Sequence, residues 1–89
     1  MESARISEHE VRCYRALRAG GWMTARELAV AARVSGRTAR AHASRFVGLG
    51  LVDCAEVFPG HQYRWSAVAR NSAYVARLAA ASIIFEPET

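Results

Sequence analysis

The sequence predicts a mainly α-helical fold with a small β-hairpin, in one domain of 89 residues. Apolar residues recur at spacings of three and four in four segments, and a Ser or Thr able to cap a helix precedes each of them. Between the third and fourth segments, two short strand-like runs flank a turn sequence. A chain of this length is enough for one domain and too short for two.

Helix 1 is predicted to begin after Ser7, which forms a Ser-x-x-Glu capping box with Glu10. The glycine pair at 20–21 is predicted to end it. Its apolar stripe consists of Val11, Tyr14 and Leu17. The dipeptide Trp22-Met23 is too short for a full element and is expected to form at most a one-bridge strand.

Helices 2 and 3 follow in close succession. Thr24 and Glu27 repeat the capping box, Arg33-Val34 forms the turn, and Ser35 caps a helix over Gly36–Gly48. The residues expected to be buried are Leu28, Ala29, Ala32, Ala39, Ala43, Phe46 and Val47. A left-handed Arg33, where glycine is usual, would cost about 1 kcal/mol or more.

A β-hairpin is predicted next, with strands over 51–57 and 62–66 and a turn at Phe58-Pro59-Gly60-His61. In the second strand, Tyr63 and Trp65 are expected to face the core, so Arg64 faces away from it. The turn carries no Arg or Lys.

The last helix is predicted from Ala67 to about Phe85, capped by Ser66 and stopped by Pro87. The predicted domain core therefore spans about 7–66. The apolar arc of this helix is wider than one small domain can cover, so we expect a homodimer through it. The expected dimerisation residues are Tyr74, Val75, Leu78, Ile83 and Phe85.

Basic charge is concentrated in the middle of the chain. All twelve basic residues are Arg, the net charge is +4, and three of the eight acids stand near the ends, at Glu2, Glu86 and Glu88. This distribution favours a polyanionic partner. A GC-rich genome would also explain the use of Arg for Lys, but not the positions of the arginines.

From about Glu8 to Trp65, the order helix, short strand, helix, turn, helix, hairpin resembles a winged helix-turn-helix domain, as in many small bacterial, phage and plasmid repressors. The densest match is Thr24-Ala-Arg-Glu-Leu-Ala, Val34-Ser-Gly-Arg-Thr-Ala-Arg-Ala-His and Gly48-Leu-Gly-Leu-Val. The resemblance implies a winged helix-turn-helix with an added C-terminal helix. It also implies sequence-specific binding of double-stranded DNA, most simply by a transcriptional regulator that reads the major groove with Gly36–Gly48.

Positions carried over from this resemblance give the expected DNA contacts. Base contacts are expected from Arg37, Arg40 and Ser44, since Arg can bind guanine bidentately. Backbone contacts are expected from Arg26, Arg33, Thr38, Arg45 and Arg64, which would set register without reading sequence.

Other interpretations stay open. One is a winged-helix adaptor that binds a protein through Phe58–His61; another is a replication or excision accessory protein of a mobile element. Metal sensing would need His9, Cys13, Cys54 and His61 together, redox sensing would use Cys13 or Cys54, and His42 is either a phosphate contact or a boundary histidine.

The residue pattern contains no catalytic triad, paired carboxylates or glycine-rich phosphate loop, so neither an enzyme nor a cofactor is expected. The longest apolar run, 78–85, is too short to span a bilayer. We expect a cytoplasmic protein that is nucleoid-associated when bound to DNA, with reduced thiols.

Overall fold

The computed structural model describes residues 6–57 and 60–84, which contain four helices and three short strands. In chain order they are α1 (Glu8–Ala19), β1 (Met23–Thr24), α2 (Ala25–Ala32), α3 (Gly36–Gly48), β2 (Val52–Val57), β3 (Gly60–Trp65) and α4 (Ser72–Ile84). The fold is mainly helical with a small antiparallel sheet, as the sequence predicts, and it is compatible with a winged helix. Over the described residues, none of the helices has the length and apolarity needed to cross a membrane.

Local capping fixes the starts of the first three helices. The predicted cap side chains each accept a hydrogen bond from the N–H three residues ahead, at 3.0–3.1 Å: Ser7, Thr24 and Ser35. At α2 the capping box is complete, because Glu27 also accepts from the Thr24 N–H at 2.8 Å. Such caps contribute about 0.5–2 kcal/mol each, so these boundaries follow from local sequence.

The turn between α2 and α3 places Arg33 in the left-handed region, with φ 60° and ψ 49°. A side chain at this conformation costs roughly 1–2 kcal/mol. The turn compensates through backbone hydrogen bonds that satisfy the end of α2: the Val34 N–H donates to the Ala29 carbonyl at 3.0 Å.

The sheet has the strand order β1-β3-β2, and both pairings are antiparallel. A short strand was expected at Trp22-Met23, and it lies one residue later, at Met23–Thr24. It forms two pairings rather than one bridge, Met23 with Tyr63 and Thr24 with Gln62. β3 begins at Gly60, two residues before the predicted start, because pairing with β2 continues to the Val57–Gly60 register. Phe58 and Pro59 lie outside the described residues. The predicted facing is confirmed: Tyr63 is buried and Arg64 is exposed.

The core lies between the helices and one face of the sheet. Its largest fully buried side chains are Val11, Cys13, Leu17, Leu28, Phe46, Leu51 and Leu78. Trp65 packs edge-on against Tyr14, with ring centroids 5.2 Å apart, which ties β3 to α1. The predicted buried faces of α2 and α3 are confirmed, with Val47 half-buried at the margin.

The last helix begins at Ser72, five residues later than the predicted start at Ala67. Ser66 does not cap it; its hydroxyl accepts from the Val68 N–H at 3.3 Å within a turn. The chain then crosses the end of α3, where the Arg70 N–H donates to the Gly50 carbonyl at 3.0 Å. Asn71, at φ 58°, redirects the backbone into α4.

α4 packs on α1, and this changes the expected dimer surface. Tyr74 and Leu78 are 8% and 0% exposed within the single chain, so they belong to its own core and are not free to form a dimer interface. Val75 is half-buried, and Ile83 is 75% exposed. Phe85 lies outside the described residues.

Candidate nucleic-acid interface

The outer face of α3 carries two of the three expected base-contacting residues. Arg37 and Ser44 are both exposed and lie seven residues apart, which places them on one face about two turns from each other. The opposite face is buried through Ala39, Ala43 and Phe46. Helical periodicity alone therefore directs Arg37 and Ser44 to solvent.

Arg40 lies on the flank of this face, next to Arg26 of α2. Both residues line a shallow hollow between α2 and the start of α3, formed by Ala25, Arg26, Ala29, Val30, Val34, Gly36 and Arg40. They also line a neighbouring hollow that reaches the hairpin, formed by Thr24, Ala25, Arg26, Arg40, Val57 and residues 60–63. Arginines from two helices thus line the same two hollows, and the second hollow extends to the hairpin.

The charge of this concave surface has one sign. No carboxylate lines either hollow, and residues 28–52 of the sequence contain four arginines and no acid. Exposed Arg side chains attract polyanions through a field that falls off over about 10 Å at moderate salt. Guanidinium groups are chemically suited to contact phosphate oxygens.

Two further expected backbone residues border the surface. Arg33 is exposed at the α2–α3 turn, and its carbonyl accepts a hydrogen bond from the Arg12 guanidinium at 3.3 Å. Thr38 is half-buried, and its hydroxyl accepts from the Ser35 hydroxyl at 2.9 Å. The sequence did not predict that Arg12, on α1, would add a second guanidinium beside this turn.

The remaining two expected backbone residues have partners elsewhere. Arg45 lies over the ring of Tyr74, 5.9 Å from its centroid, on the side of α3 that faces α4. Arg64 donates to Asp53 at 3.1 Å and lies 4.5 Å from the ring centroid of Trp22. Neither residue lines the two hollows that hold Arg26 and Arg40.

A cluster of polar side chains, buried at Glu10 and Tyr74, lies on the other side of α3. Glu10 is only 4% exposed, and its carboxylate accepts a hydrogen bond from the hydroxyl of Tyr74. α3 contributes Arg45 and the half-buried His42, which stacks on Phe46. We refer to Glu10, His42, Arg45 and Tyr74 as the polar junction, because it joins α1, α3 and α4.

Protonation in and beside the polar junction reflects burial. Burial, and then the bond to Glu10, raises the pKa of Tyr74 to about 12, against the opposing effect of Arg45. Burial and the nearby Glu10 raise the pKa of Cys13 to about 11. Burial lowers the pKa of His42, assisted by Arg45 and opposed by Glu10. These side chains are therefore uncharged at neutral pH.

The contact between Glu10 and Tyr74 was not predicted from the sequence, because the Ser-x-x-Glu pattern assigned the Glu10 carboxylate to a capping box with Ser7. The Glu10 N–H does donate to Ser7, but its carboxylate contacts Tyr74 rather than returning to the helix start. A signal was present in the spacing: Glu10 precedes Tyr14 and Leu17 by four and seven residues, on the buried stripe of α1.

The residues considered for metal sensing and for redox sensing lie on α1 and on the β2–β3 hairpin. Over residues 6–57 and 60–84, His, Cys, Asp and Glu form no group of three that could hold a metal ion. Cys13 is fully buried, and its raised pKa keeps it a thiol, which disfavours oxidation. Cys54 is exposed on β2, while His61 lies 3.6 Å from Glu56 across the hairpin.

Comparison with protein-family models and with curated proteins gives no match for this chain. Its function is therefore inferred from the residues and geometry described above.

Proposed function

We propose that this chain binds double-stranded DNA, with α3 reading the major groove as the recognition helix of a winged helix-turn-helix domain. The observation that carries the proposal is the acid-free concave surface where Arg26 and Arg40 meet, beside an outer α3 face that presents Arg37. The major groove admits one α-helix, and an Arg on its outer face can bind the O6 and N7 atoms of guanine.

The geometry supports different roles for the arginines. Arg37 and Ser44, on the outer face, are the best-placed base contacts, and Arg40 would bind a base at the edge of the helix. Arg26 and Arg33 would neutralise phosphates on either side of the groove, as backbone contacts do in related modes of recognition. Thr38 would add a hydroxyl to phosphate beside the α3 cap.

A transcriptional regulator acting as a homodimer is the form of this proposal that the chain supports best. The outer positions of α4 are small or apolar apart from Arg77, and Ile83 is 75% exposed. A second copy of α4 could cover these positions. Two recognition helices would then need to lie about 34 Å apart to enter successive major grooves.

A salt titration of binding to random and selected duplexes tests the proposal. Arg26→Ala should weaken binding to every duplex alike and reduce the slope of log K against log salt by about 0.9, the effect of one phosphate contact. Arg37→Ala with Arg40→Ala should remove about 1–3 kcal/mol of sequence discrimination per lost base contact.

The matched control is Arg15→Ala with Arg70→Ala, which removes the same charge outside α2, α3 and the hairpin. This control should change the slope of log K against log salt far less than Arg37→Ala with Arg40→Ala does. An equal effect of both double variants would mean that net charge alone drives binding. If the wild-type chain ignores DNA at low salt but captures a protein through the hairpin, the adaptor alternative replaces this proposal.

A further inference from the structure

Arg45 belongs to α3 but its side chain contacts α4. Its guanidinium lies 5.9 Å from the ring centroid of Tyr74, a distance at which a cation is attracted to an aromatic face. Arg77 flanks the same ring at 5.7 Å. Tyr74 is 8% exposed, so Arg45 covers one of the residues that dock α4 onto the domain.

A buried negative charge lies next to this contact. Glu10 is 4% exposed, and the partner described for its carboxylate, the Tyr74 hydroxyl, is neutral. A carboxylate in such a site gains from a nearby cation, because solvent screens the pair poorly. Arg45 lies over the Tyr74 ring and Glu10 accepts from the Tyr74 hydroxyl, so both charged side chains contact the same phenol.

Arg45 remains within reach of the proposed DNA surface. It is exposed and follows Ser44 and Ala41 of the outer α3 face by one and four residues. A change of side-chain rotamer, without movement of the helix, would turn its long and flexible side chain toward that face. The rotamer of Arg45 therefore depends on the Tyr74 ring of α4 and on the Glu10 carboxylate of α1.

We propose that Tyr74 and Glu10 hold Arg45 in an autoinhibitory contact, so that the docking of α4 withholds one phosphate contact from the DNA-binding surface. A partner that lifts Tyr74 away from α1 would release Arg45 and tighten binding to DNA of any sequence. The inference rests on the proposed function and adds a route by which α4 regulates that same surface.

The test compares Arg45→Ala in two backgrounds. In the wild type, it should leave the salt slope of DNA binding unchanged. In the Glu10→Met, Tyr74→Leu background, both groups that hold Arg45 are replaced by apolar side chains that keep the junction packed. There Arg45 should add a phosphate contact, so Arg45→Ala should lower the slope by about 0.9. Arg26→Ala is the matched control and should lower it equally in both backgrounds.

An effect of Arg45→Ala that is equal in both backgrounds, or absent from both, would overturn the proposal. Glu10→Gln is the second variant if the double replacement fails to fold. Its amide still accepts from Tyr74 but lacks the charge, so a smaller change in the same direction is expected.

The NMR resonance of the Arg45 Nε–H group in the free protein separates this inference from the proposed function. The Tyr74 ring should shift this resonance, and the shift should disappear in the double replacement. Persistence of the shift refutes the contact whether or not DNA binds. Loss of the shift without any DNA binding refutes the proposed function instead.

Discussion

At the scale of single residues, burial makes two side chains harder to ionise than in the unfolded chain. The pKa of Cys13 rises from 9.0 to about 11, and that of Tyr74 rises from 10.0 to about 12. Well below pH 9 both groups keep their protons in both states. As the pH rises further, the unfolded chain loses these protons first, so the free energy of unfolding must fall.

We therefore predict that the urea midpoint of unfolding decreases progressively between about pH 9 and pH 12. Cys13→Ala should flatten the lower part of this decline and Tyr74→Phe the upper part, because each variant removes one ionising group. Cys54→Ala is the control, since this cysteine is exposed. Denaturation monitored by circular dichroism at each pH gives the midpoints. An unaltered profile in Tyr74→Phe would contradict the assignment to its hydroxyl.

Residue roles were predictable from sequence where they depend on periodicity, and not where they depend on a distant partner. Arg37 and Ser44 reach solvent because helix spacing directs them there. The diversion of Arg45 to Tyr74 could not be predicted, because it needs α4 docked against α1. Arg64 is similar, since its partner Asp53 lies on the neighbouring strand.

At the scale of elements, the end of α3 shows two glycines in opposite settings. Gly50 adopts φ +79°, and an added Cβ would lie 3.2 Å from the Cβ of Arg70 in the segment leading to α4. Gly48 is the last residue of α3, and a Cβ added there would meet nothing within 4 Å. One glycine is thus required by the fold, and the other is not.

We predict that Gly50→Ala lowers the free energy of unfolding by about 1–2 kcal/mol, because a side chain in the left-handed region is strained and this one also crowds Arg70. Gly48→Ala should raise it by up to about 1 kcal/mol, because alanine is the better helix former. Urea denaturation of the two variants measures both values. A neutral Gly50→Ala would mean that the crossing over α3 relaxes at no cost.

Element boundaries follow the same division between local and distant causes. The starts of α1, α2 and α3 were predicted correctly because each depends on a cap within three residues. The start of α4 was predicted wrongly, since the hydrogen bond from Arg70 to Gly50 holds the preceding segment out of the helix. Pairing with β2 likewise extended β3 beyond its predicted start.

At the scale of the whole molecule, a domain this small buries only about 60–65% of the surface that its unfolded chain exposes. Exposed apolar surface can be covered by a second copy of the chain, and two exposed apolar residues differ in whether they lie on the proposed dimer surface. Ile83, 75% exposed, lies on α4, whose outer positions we propose as the dimer surface. Val68, 77% exposed, lies in the turn before α4 and outside that surface.

We predict that Ile83→Asp weakens self-association and that Val68→Asp, the matched control, does not. Burying an Ile side chain contributes about 1.5–3 kcal/mol, so its loss from both copies should raise the dimer dissociation constant roughly 100-fold or more. Sedimentation velocity over a concentration series measures this constant, and circular dichroism checks that both variants fold. If wild type and both variants are monomeric at all concentrations, α4 does not pair with itself, and each chain would engage a single half-site.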